Sequence, residues 1–211
     1  MKHGAPAAQL TPRRPPVFVL LAIGAAAIAA THGGAEPTVT DERALLDRGE
    51  LVVTTEVAPD SDTPFYVARG VIDAPPAVVW ALVSDCGRYR DTMARVAASS
   101  IVSQDHDTSV CRLEMDMPFP LPKLTAVIRA QHHTEGARHL REWHLVEGDF
   151  ARHEGSWLVA PFDDAGKRTL VTYRARVRPK LPVPEAMLAG SKKGALADTL
   201  AGLRRQLAPS R

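Results

Sequence analysis

The sequence predicts an α+β fold: an antiparallel meander of strands closed by one long C-terminal helix. Three observations carry this. Val71–Asp85, VIDAPPAVVWALVSD, reads as a strand that stops at Pro75-Pro76 and restarts as a short helix, where proline's missing N–H would be unpaired anyway. Glu154–Pro179, EGSWLVAPFDDAGKRTLVTYRARVRP, reads as two alternating strands joined by a glycine-containing turn. Glu185–Leu207 repeats Leu196, Leu200, Leu203 and Leu207 at helical spacing.

The chain opens with a targeting pattern. Lys2, Arg13 and Arg14 precede the apolar run Val17–Ala30, and Ala27-Ile28-Ala29 fits the small-x-small rule for signal peptidase. An uncleaved anchor would need about 20 apolar residues, and His32, Gly33 and Gly34 end the run before that. Residues 1–29 are therefore read as a signal peptide, 30–49 as a linker with a short helix, and 50–208 as one domain. Export to a bacterial periplasm or beyond follows. At 211 residues and 45% hydrophobic content, one core is affordable. A net charge of +2 and 5% aromatics give no case for nucleic acid.

After the linker, Asp41–Arg48 suits a helical turn, Leu51–Val57 a β-branched strand and Phe65–Asp73 the next strand. Ala77–Val83 is a helix with Val78, Val79, Leu82 and Val83 on its apolar side. Gly87 breaks it, and Arg88–Met93 forms a second short helix. Val96–Ser103 leads into Val110–Met117, where Cys111, Leu113, Met115 and Met117 alternate with Arg112, Glu114 and Asp116. That is one dry face and one wet face. Pro118–Pro122 must be a loop. Leu124–His132, His139–Glu147, Ala151–Ala160 and Thr169–Arg178 complete the meander. Cys86 and Cys111 could bridge in an oxidising compartment, although Cys111 also suits an ordinary buried thiol.

Tight turns fix a register. A turn over Thr134–Ala137 sets Ile128 opposite Trp143 and Arg129 opposite Glu142. Carried forward, Leu158 lies beside Tyr173 on the dry face, with Arg141, Glu154 and Ser156 nearby. Arg174, Arg176 and Arg178 fall on the wet face and, with Lys180, form a basic stripe that could meet anionic head groups of a membrane surface; a solvated strand face is the plainer reading.

Candidate chemistry is thin. The eight histidines include His132, His133, His139, His144 and His153, but this register scatters them in pairs across both faces, whereas zinc needs three or four converging ligands. Arg141 and Glu154 could be an acid–base group; a structural pair near the open end of the sheet is the simpler alternative. No hydrolase elbow, phosphate loop or dinucleotide fingerprint is present. The reading has no catalytic residue, no metal and no cofactor.

The order of elements resembles the START-like (SRPBCC) superfamily over roughly Tyr66–Leu207, nearest its polyketide cyclase, coenzyme Q-binding and lipid-transfer branch. Gly155-Ser156-Trp157 looks like the G-x-W element of that superfamily, a fold marker there. The resemblance implies a helix-grip fold: a curved antiparallel sheet wrapped around the C-terminal helix, with two short helices after the first family strand. It also implies a hydrophobic small-molecule ligand, such as a lipid, quinone, sterol or polycyclic compound. The implied cavity wall is Leu113, Met115, Ile128, Arg141, Trp143, Glu154, Leu158 and Tyr173 from the sheet, with Met187, Leu188 and Leu200 from the helix. Two classes stay open: a carrier of that ligand, and a cyclase or dehydratase using the same cavity. A structural or interaction domain is the weaker third.

Overall fold

The computed structural model describes residues 39–59, 61–117, 119–183 and 185–208, and their side chains except those of 39, 40, 61, 62 and 185–193. The signal-peptide reading of 1–29 and most of the linker lie outside the described residues. Helix α1 (Val39–Asp47) leads into strands β1 (Val52–Ala58) and β2 (Ser61–Ile72). Helix α2 (Pro76–Val83), a 3-10 turn (Cys86–Arg88) and helix α3 (Tyr89–Thr92) follow. Strands β3 (Val96–Gln104), β4 (Thr108–Met115), β5 (Leu124–Glu135), β6 (Arg138–Gly148), β7 (Phe150–Pro161) and β8 (Thr169–Pro179) then form the meander, and helix α4 (Glu185–Leu207) closes the fold. The strands make one antiparallel curved sheet in the order β1-β2-β8-β7-β6-β5-β4-β3. Because β8 returns to pair with β2, the meander wraps around the helices.

The Pro75-Pro76 break behaves as its chemistry requires. Pro75 sits extended at φ −61° and ψ 150°, and its carbonyl accepts the first helical N–H groups, from Val78 at 3.0 Å and Val79 at 3.2 Å. Helix α2 buries Val79, Leu82 and Val83, while Val78, expected on the same side, is exposed. Among the described side chains of α4 the buried positions are Leu196, Thr199, Leu200 and Leu203, a single stripe at i, i+3, i+4, i+7. The helix lies close to β2 at Gly70, where an added Cβ would come within 2.5 Å of Leu51 Cδ2 and 3.5 Å of Leu200 Cδ1. A smaller cluster of Leu46, Val52, Val71 and Phe162 fixes α1 to the outer face of β1 and β2.

The register departs from the expected one at three strand pairs, β5–β6, β6–β7 and β7–β8. The β5–β6 hairpin closes on Glu135↔Arg138, with Gly136 at φ 58°, so Trp143 pairs with Ala130 and Ile128 with Leu145. That shift is two residues and leaves both side chains on the dry face. Between β6 and β7 only Asp149 intervenes, not a pair of turn residues, so the parity of β7 inverts. Trp157 now pairs with Tyr173 on the dry face, and Leu158 pairs with Thr172 on the other. Cys86 and Cys111 are joined, tying the 3-10 turn to β4, so the plain buried-thiol reading of Cys111 does not hold.

Candidate functional site

The concave face of β4–β8 and the helices opposite enclose two small adjoining cavities. The inner one, about 50 Å³, is walled by Leu113, Ile128, Arg141, Trp143, Trp157 and Tyr173 from the sheet, by Tyr89 and Thr199 from the helices and by Met93 just after α3. The outer one, about 120 Å³, continues past Met115 and Tyr173 to Met117, Phe150, Val177, Pro179, Ala195 and Leu196. Met115, Tyr173 and Thr199 border both. A larger depression of about 370 Å³ lies elsewhere, between the end of α1 and the end of α4. It is lined by Asp47, Arg48, Asp73, Arg168 and Arg204, and Arg204 there ties α4 to Val71 O at 2.9 Å and Gly49 O at 2.7 Å. That is a structural clasp, and the helix–sheet cavity is the candidate site.

Aromatic contacts shape its wall. Trp157 stacks on Tyr173 with ring centres 3.9 Å apart and planes 6° from parallel. Trp143 tilts against Tyr173 at 5.9 Å and donates from Nε1 to His153 Nδ1 at 3.2 Å. That bond fixes His153 as the tautomer with an unprotonated Nδ1. Gly155 makes room for this arrangement: a Cβ there would lie 2.5 Å from Trp143 Cζ2 and would also strike the Arg174 carbonyl. Tyr89 caps the floor, donating to Val83 O at 2.6 Å.

Burial governs the titratable groups. It pushes His153 down to about 4, and His132 to about 4 with help from the Arg141 charge. The same desolvation raises the phenols of Tyr89 and Tyr173. Arg141 is fully buried; its Nη2 donates to Cys111 Sγ at 3.6 Å, and its Nε and Nη1 have no partner.

Of the sheet residues expected at the cavity, the structure brings Leu113, Met115, Ile128, Arg141, Trp143 and Tyr173 together around it. Glu154 and Leu158 are corrected to the outer face, because Asp149 alone separates β6 from β7. Glu154 pairs there with Arg176 at 2.6 Å and Arg152 at 2.9 Å, not with Arg141. Leu200 is buried against β2 rather than at the cavity. The side chains of Met187 and Leu188 lie outside the described residues. Sequence reasoning missed Tyr89 and Thr199, from helices whose facing could not be read by strand parity, and Met93, which directly follows α3. It also took Trp157 for a fold marker more than a cavity residue, and Trp157 lines the inner cavity. The basic stripe is not free: Arg174 pairs with Glu56 at 2.7 Å, and both Arg174 and Arg176 lie over the Phe65 ring, at 3.2 and 4.3 Å. Among the described residues no three His, Cys, Asp or Glu side chains converge as a metal site. No helix among them is long and apolar enough to cross a membrane.

Comparison with known proteins places this geometry. The fold matches a STAR-related lipid transfer protein from Xanthomonas axonopodis at a TM-score of 0.66 and 19% identity, over 74% of this chain and 93% of that one. Human StAR-related lipid transfer protein 5 matches at 0.64 and 12%, over 75% and 82%. The Zhui aromatase/cyclase from Streptomyces sp. R1128 matches at 0.54 and 18%, over 66% and 90%. No curated protein sequence matches it. Residues 72–204, from the end of β2 into the last turns of α4, match the family model described as polyketide cyclase / dehydrase and lipid transport, so the chain belongs to that family.

Proposed function

We propose that this protein binds and carries a hydrophobic small molecule between the sheet and α4, after export to the cell envelope. The observation that supports the carrier reading best is the composition of the cavity. Its walls are aromatic and aliphatic, and no nucleophile, paired general base or metal set lines it among the described residues. Apolar burial gives such a guest about 25 cal/mol per Å² without demanding geometry. The two volumes, about 50 and 120 Å³, are below the roughly 300 Å³ of an ordinary ligand site, so a guest must displace α4 or the flexible Met93, Met115 and Met117. A cyclase-type reaction is the alternative, supported by the aromatase/cyclase fold neighbour and by the Tyr89 and Tyr173 phenols beside Arg141.

The outer cavity opens where β8 ends. Exposed Phe119 and Leu181 stand on the loops at that end, and Val57 near the end of β1, with Lys180 beside Leu181. An apolar rim with a basic residue suits transient contact with a membrane surface. For export, the support is the Lys2–Arg14 and Val17–Ala30 pattern with the Ala27–Ala29 site; N-terminal sequencing of envelope fractions checks it, and an intact Met1 on a membrane-embedded chain refutes it.

The carrier test is extraction of a fluorescent acyl or polycyclic probe from vesicles. Wild type should take up the probe, and Ala195→Trp, which fills the outer cavity, should reduce uptake at least about tenfold while circular dichroism stays unchanged. Equal uptake by both, or none by wild type across a broad lipid panel, rejects the reading.

A further inference from the structure

Arg141 is held in an unusual state. Its guanidinium is sealed from solvent, two of its three nitrogens have no partner, and the third reaches only a disulfide sulfur, a weak acceptor. Arginine cannot shed its proton to escape such a place. The rings of Tyr89 and Trp143, 5.4 and 6.0 Å away, compensate part of the charge. The phenols and imidazoles beside it supply no anion: Tyr89 and Tyr173 stay protonated, and His132 and His153 stay neutral, while Asp85 and Asp107, which act on Tyr89 and His132, do not line the inner cavity. No carboxylate lines the inner cavity among the described residues. The cavity therefore holds a cation that its own walls leave short of acceptors, an arrangement that favours an anion brought from outside.

The sulfur is the second observation. Cys86 and Cys111 are bonded and buried, and Cys111 Sγ is the atom nearest to completing the shell of Arg141. Opening the bond would set a thiol beside the guanidinium, and a cation at that range favours the thiolate.

Resting on the carrier reading, we propose that Arg141 seats the carboxylate head of an anionic amphiphile and that the Cys86–Cys111 bridge gates this seat. The oxidised protein accepts the anion; the reduced protein supplies its own. The reductant is a dithiol, which gives two electrons to the S–S bond and leaves as a disulfide. One of its two protons stays on Cys86, the other passes to solvent, and Cys111 remains as a thiolate paired with Arg141. A neutral guest of the same shape gains nothing from Arg141 in either state.

The test is calorimetric titration of decanoate and 1-decanol at pH 8. Oxidised wild type should bind decanoate about 10- to 100-fold more tightly than the alcohol, the worth of a charge-assisted hydrogen bond. After dithiothreitol, with both thiols counted by mass spectrometry and the fold checked by circular dichroism, that preference should vanish. Two variants break the same bridge and separate charge from stability. Cys111→Ser leaves no thiolate and should keep the preference in reducing buffer. Cys86→Ser leaves Cys111 and should lack the preference at pH 8, regaining it as the thiolate is protonated. Arg141→Met should bind both probes equally in every state. Decanol binding with no decanoate preference in the oxidised protein overturns the anion seat and leaves the carrier reading standing. No binding of either probe overturns the carrier reading itself. Equal preference in the two serine variants, or a wild-type bridge that opens only on unfolding, overturns the gate.

Discussion

Gly155 and Trp157 show how much one short motif decides. In a strand interior glycine is a weak choice, having neither a packing side chain nor restricted backbone freedom. Here the missing Cβ is the space into which the Trp143 indole fits, and Trp157, two residues on, presents its ring to Tyr173. Trp143 can then reach His153 Nδ1 and satisfy its N–H inside the core. Gly155→Ala should therefore act as an overpacking change, costing about 1–3 kcal/mol in urea titrations and moving Trp143 off His153. A neutral result would mean that the indole has room to shift, and that the cavity wall is softer than drawn. On the other face, Arg176 is 4% exposed beneath Phe65 and holds Glu154 at 2.6 Å. A position expected to be a solvated basic site is a partly buried ion pair, because Phe65 of the neighbouring strand lies against the guanidinium.

Elements were legible in the sequence where the signal was local. The Pro75-Pro76 break, the loop through Phe119–Pro122, the alternation of β4 and the leucine stripe of α4 each rest on a few adjacent residues, and each lies in the structure where it was expected, Pro118 itself lying outside the described residues. Register was less legible, since it accumulates across turns. The β5–β6 turn sits one residue further along the chain than expected, which shifts the pairing by two and did no harm, while the single residue Asp149 flipped the whole of β7. Asp149 can serve alone there because its carboxylate takes the Thr125 N–H at 2.7 Å and the Thr125 hydroxyl at 2.8 Å, clamping the turn to β5. Nothing local in the sequence announces a partner so distant. The helical half of the cavity was hidden for a related reason: α3 is too short to show a period, and its orientation is set by the Cys86–Cys111 bond next to it. That bond closes a loop with a sequence separation of 25. Replacing both cysteines with serine should lower stability by about 3–4 kcal/mol on the loop-closure argument, measured as a fall in urea midpoint at unchanged slope. An equal stability with and without the bridge would show that α3 is held by Tyr89 and Ser99 contacts alone.

For the molecule as a whole, the core holds, beside the charged Arg141, imidazoles that must stay neutral. His153 is buried between Trp143 and Phe150, and its Nδ1 has to remain unprotonated to accept the indole N–H. His139 is buried beneath Trp80, stacked at 5.1 Å, and burial lowers its pKa too. Against an ordinary histidine value of 6.5, His153 and His132 are each pushed down to about 4. The unfolded chain therefore takes up protons that the folded chain refuses. Stability contributed by these groups is complete above pH 6.5 and is lost as pH falls from there toward 4. For His153 the shift is worth roughly 3 kcal/mol; His132, only partly buried, contributes less because solvent screens it. Carboxylates held low by ion pairs and hydrogen bonds, Glu154 and Asp163 among them, add their loss below that window. Urea midpoints measured from pH 7.5 to 4.5 should fall steadily below 6.5. His153→Gln keeps an acceptor for Trp143 but does not titrate, and it should flatten the slope by about one proton, near 1.4 kcal/mol per pH unit at its steepest. An unchanged slope in that variant would move the acid sensitivity away from the cavity wall. A flattened one would mean that the indole–imidazole bond lining the cavity is also the part of the fold that acid releases first.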